Sequence, residues 1–98
     1  MTSGSLPEAK KIAKALLEKR LIACGNIVPE IVSIYWWKGK IQEQTECLLL
    51  AKTIKKLIPK VIAEVEKIHS YEVPCIEFIK INAQNKEFRQ WAEKELSR

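Results

Sequence analysis

The chain has 98 residues, with 17 lysines and arginines against 12 acidic residues, all of them glutamate, for a formal net charge of +5. At 47% apolar it is too hydrophobic for a disordered chain, and no apolar run approaches the roughly 20 residues of a membrane span. The lack of aspartate argues against an Asp-rich hard-cation loop, and the three glycines exclude a glycine-rich phosphate loop.

In chain order, Ser5-Leu6-Pro7-Glu8 reads as a capping box, with Ser5 as N-cap. Ala9, Ile12, Ala13, Leu16 and Leu17 recur at helical spacing and predict a first helix to about Lys19. Lys10, Lys11 and Lys14 read as its solvated face. Leu21 to Val28 is apolar, β-prone in its second half, and ends at Pro29, which removes a ladder donor. Ile31–Trp37 and Ile41–Lys52 predict a long hairpin around Gly39. In it Tyr35 and Trp37 share one face while Ile34 and Trp36 share the other. Both faces are apolar, so the second is expected to meet a partner chain.

Leu57, Val61, Ile62, Val65 and Ile68 form one stripe of a second helix, with Pro59 in its first turn. A His69–Pro74 loop follows, then a strand over Cys75–Ile81. Asn85 is placed to cap a short last helix with Phe88, Trp91, Ala92 and Leu96 inward. With one strand in front, the order becomes the β-α-β-β-α-β ferredoxin-like α+β pattern plus a C-terminal helix. Met1-Thr2-Ser3 is the most that this chain offers of that first strand.

Four ordered segments carry a resemblance. They are Glu18-Lys19-Arg20-Leu21-Ile22-Ala23-Cys24, Ser33-Ile34-Tyr35-Trp36-Trp37-Lys38-Gly39-Lys40, Leu50-Ala51-Lys52-Thr53 and His69-Ser70-Tyr71-Glu72-Val73-Pro74. Together they resemble the CutA divalent-cation-tolerance family. The resemblance implies a homotrimer and a non-enzymatic role in the response to divalent cations, with weak binding of copper or another soft metal. It also implies that Tyr35, Trp37, Glu43, Glu46, Lys52, Tyr71 and Glu72 lie towards a cleft between subunits, either as a ligand pocket or as an interfacial network. The short first strand is the largest departure from the family.

His69 is the single histidine, and imidazole and thiolate suit copper and zinc, so His69 and Cys75 are the candidate metal ligands. The competing reading has His69 capping the second helix and bonding a carbonyl, with Cys75 as a small buried hydrophobe. No pair has the spacing of a dedicated metal site. An enzyme is not expected: the histidine has no aspartate to orient it, and no serine or cysteine sits in an elbow motif. No organic cofactor is expected either.

The expected product is one domain, residues 1–98, soluble and cytoplasmic, with Cys24, Cys47 and Cys75 as reduced thiols. Its expected partners are itself and metal ions, not nucleic acid or membrane. Two alternatives stand beside this one. One is a trimeric scaffold resembling the PII regulators, with a small anion between subunits. The other is a single-stranded RNA binder that stacks bases on Tyr35, Trp36 and Trp37.

Overall fold

In a computed structural model describing residues 1–98, Ser5 opens helix α1 (Leu6–Glu18) by accepting on Oγ from the Glu8 N–H at 3.3 Å. Glu8 accepts from the Gly4 N–H, one residue before the N-cap, so the box closes slightly wide. At the other end the Leu21 N–H donates to the Leu16 carbonyl and the Arg20 N–H to that of Leu17, which is a Schellman ending. Arg20 holds the left-handed position there at φ 57° without being glycine. Its guanidinium donates to Glu95 at 2.7 Å, tying the end of α1 to the last helix.

Strand β1 (Thr2–Ser3) precedes α1, and β2 (Cys24–Trp37), β3 (Lys40–Lys52), α2 (Ile58–Ile68) and α3 (Lys86–Leu96) follow, with one 3-10 turn at Lys55–Leu57. The three strands form a single antiparallel sheet in the order β1-β3-β2. At about 3.3 Å per residue the 14-residue β2 accounts for the 44 Å long axis of the molecule. The hairpin turns over Lys38 and Gly39, both at positive φ, as a two-residue turn matched to strand twist requires.

Leu49 turns its side chain to the core with Ile12, Ala13 and Leu16 of α1, Val61 and Val65 of α2, and Leu96 of α3. Gly25 permits this packing, since a Cβ there would lie 3.1 Å from Leu49 Cδ1 and 3.6 Å from Ala13 Cβ. The helices cover only one end of the hairpin. Beyond them Val32, Ile34, Trp36 and Ile41 stand bare on one face, with Trp36 72% exposed.

Three expectations are corrected. Pro29 does not end a strand: β2 runs through it, and the register shifts between Val28 and Ile31, so Pro29 and Glu30 sit in a bulge where the missing N–H is harmless. Residues 75–81 form no strand in this chain. In a β-α-β-β-α-β sheet the last strand lies beside the first, and β1 offers two residues. The segment is left with Ile79 86% exposed and with Phe78 and Ile81 also bare. Asn85 does occupy the N-cap of α3, but its side chain makes no capping bond. On that helix Leu96 is buried while Trp91 is exposed and stacks on Phe88 at 5.5 Å.

Candidate functional site

Alternation along the hairpin puts Ser33, Tyr35 and Trp37 on the same face as their cross-strand partners Gln44, Gln42 and Lys40. Glu46 follows Gln44 on that face, opposite the one that Cys47 and Leu49 turn to the helices. The loop after α2 then brings Tyr71 over Gln44 and Glu46. The Tyr35 hydroxyl donates to Gln44 Oε1 at 2.6 Å, Gln44 Nε2 donates to the Tyr71 oxygen at 3.2 Å, and the Tyr71 hydroxyl donates to Glu46 Oε2 at 2.7 Å. Burial, the hydrogen bond to Glu46 and the carboxylate charge together push the Tyr71 phenol far above its ordinary value. It is therefore a fixed donor.

These residues wall a cleft of about 640 Å³, completed by Thr2, Trp36, Glu72, Val73 and Cys75. Of the seven cleft residues expected from sequence, Tyr35, Trp37, Glu46, Tyr71 and Glu72 line it. Lys52 does not. It pairs with Cys24 at the far end of β3, the whole strand away from the Trp37–Lys40 turn. Glu43 likewise points to the opposite face, paired with Ile34. Gln44 and Ser33 were not anticipated. The signal that could have found Gln44 is its even spacing from Glu46, which puts both on one strand face.

The surroundings of His69 favour the carbonyl-bonded reading over the metal one. The imidazole side chain is 0% exposed. Its Nδ1 accepts from the Tyr71 N–H at 3.0 Å, which leaves the proton on Nε2 to donate to the Thr2 carbonyl at 2.8 Å. Both nitrogens are spent, so no lone pair is free for an ion. The carbonyl-bonded arrangement weighed against the metal is the one observed. Cys75 is exposed on the cleft rather than buried. No group of three His, Cys, Asp or Glu side chains comes together anywhere in the chain.

Glu8 braces the same loop. Its second carboxylate oxygen accepts from the Ser70 N–H at 2.8 Å and lies 3.8 Å from His69 Nδ1. Burial works to raise this carboxyl, but the bonds from Ser70 and Gly4 outweigh it and hold it below the usual range. No helix is long and apolar enough to cross a membrane.

Residues 1–95 match the family described as CutA1 divalent ion tolerance protein. The chain is 48% identical over 91 residues to the divalent-cation tolerance protein CutA of Archaeoglobus fulgidus, covering 93% of this chain and 88% of that protein. It is 45% identical to human protein CutA over 83 residues, which are 85% of this chain and 46% of the longer human one. Among solved structures, the periplasmic divalent cation tolerance protein CutA from Archaeoglobus fulgidus superposes with a TM-score of 0.94 at 45% identity, over 97% of this chain and 92% of that one. The Thermus thermophilus protein superposes with a TM-score of 0.93 at 44% identity, over 96% and 91%.

Proposed function

Because this chain belongs to the CutA1 divalent ion tolerance family, we propose that it serves divalent-cation tolerance as a non-catalytic homotrimer that binds copper or another soft cation weakly. The observation that carries the assembly is the bare face of Val32, Ile34, Trp36 and Ile41, an apolar patch rigidly presented on a sheet. The same chain supplies a matching partner. Residues 75–81 lie outside any helix or strand and expose Phe78, Ile79 and Ile81, so docked against a strand edge of a neighbouring copy they become the missing fourth strand of a ferredoxin-like sheet. A head-to-tail contact of that kind closes into a ring, and the family resemblance sets the ring at three.

Soft-metal binding is assigned to the Cys75 thiol with donors pooled between copies, since one chain gathers too few. Three free cysteines support a reducing, cytoplasmic working compartment. The test is light scattering beside a Cu(I) titration under reducing conditions. A mass three times that of the chain, and copper uptake lost in Cys75→Ser, are the expected results. A monomer at micromolar concentration defeats the assembly, and undiminished uptake by Cys75→Ser defeats the metal assignment.

A further inference from the structure

Glu46 is a carboxylate in an unusual position. It is only 5% exposed, yet it takes part in none of the ion pairs of the chain. Its one hydrogen-bond donor is the neutral hydroxyl of Tyr71. Buried carboxylates are normally matched by a cation, because removing the charge from water costs several kcal/mol unless something replaces the solvent.

The cleft on which Glu46 opens has a consistent character. Its two ionisable carboxylates are Glu46 and Glu72, and no lysine or arginine lines it. That charge repels an anion, which disfavours the small-anion alternative raised by the sequence. The remaining wall is dominated by the rings of Tyr35, Trp37 and Tyr71. Aromatic faces carry negative charge density and attract organic cations. At about 640 Å³ the space suits a small molecule rather than a single ion.

We propose that this cleft binds a small organic ammonium ion, its charge against Glu46 and its alkyl groups against the tryptophan and tyrosine rings. The Tyr35–Gln44–Tyr71 chain of hydrogen bonds positions Glu46 for this role, since each donor points along the chain and the last one fixes the carboxylate. The copper assignment rests on Cys75, which lines the same cleft, whereas this one rests on Glu46, so Cys75→Ser and Glu46→Gln tell the two apart.

The test uses the purified assembled protein, choline chloride as the probe, and its uncharged carbon isostere 3,3-dimethyl-1-butanol as control. Calorimetry and tryptophan fluorescence should both show saturable choline binding, with the isostere weaker by about tenfold or more, as expected when cation–π and ion-pair attraction is lost. Glu46→Gln keeps an acceptor for Tyr71 but removes the charge, and should weaken choline by about tenfold. Equal binding of the two probes, or full choline affinity in Glu46→Gln, overturns the proposal. So does the absence of choline binding at millimolar concentration, the result expected if a lysine of a neighbouring copy occupies the cleft. If Glu46→Gln does not fold, the two-probe comparison on the parent protein decides alone.

Discussion

The Tyr71 hydroxyl donates to the Glu46 carboxylate across 2.7 Å, joining the loop after α2 to the middle of β3 on the face away from the helices. Tyr71→Phe removes the single donor to a buried charged group. Unfolding in urea should show a loss of about 2 kcal/mol, in the range for hydrogen bonds to charged groups. A loss below a few tenths would mean that water replaces the hydroxyl freely.

His69→Ala should separate structure from metal chemistry. The ring gives one bond to Thr2 and takes one from Tyr71 while fully enclosed, so its truncation should cost about 2 kcal/mol or more. Copper uptake should not change. A variant as stable as the parent but unable to take up copper would restore the ligand role.

Glu8 makes stability depend on pH in a defined direction. Its folded carboxyl titrates below the ordinary value of 4.5, so it contributes stability that is fully present above that value and lost as pH falls through the lower folded one. Glu8→Gln should therefore be less stable than the parent at pH 7. The gap should close as the pH is taken down through the acid range. Denaturant midpoints of both proteins across pH check the sign.

Trp36→Glu should disrupt self-association while leaving the fold intact, because the side chain lies outside the core. Truncating a large interface aromatic commonly costs about 2 kcal/mol or more, and a buried charge adds to it. Sedimentation or light scattering reads the shift towards smaller species, and circular dichroism checks the fold.

Much of the fold was legible because it is local. Ser5 and Glu8 are three residues apart, Pro59 falls in the first turn of α2 as its missing N–H demands, and Gly39 marks the hairpin turn. Errors arose where pairing is distant. The pattern of Phe78, Ile79 and Ile81 is that of a strand, but a strand needs a neighbour, and the pattern does not name one. Pro29 forbids a ladder bond and leaves open whether a strand stops or bulges. In the site, motif membership grouped Lys52 with Tyr35 and Trp37, although antiparallel register sends them to opposite ends of the hairpin. The role of His69 depended on the Thr2 carbonyl, 67 residues away, which spacing does not reveal.

That distance also orders events in time. Thr2 and Ser3 pair with Leu48 and Cys47, and the Thr2 carbonyl receives its proton from a ring 67 residues further along. On a ribosome adding about 5–20 residues per second, the opening segment waits several seconds for that partner. Helix α1 can coil at once, whereas β1 must stay solvated until α2 has emerged and its end can turn back. Thr2 and Ser3 are thus locked long after they are made, and the His69 ring is the latch that closes on them.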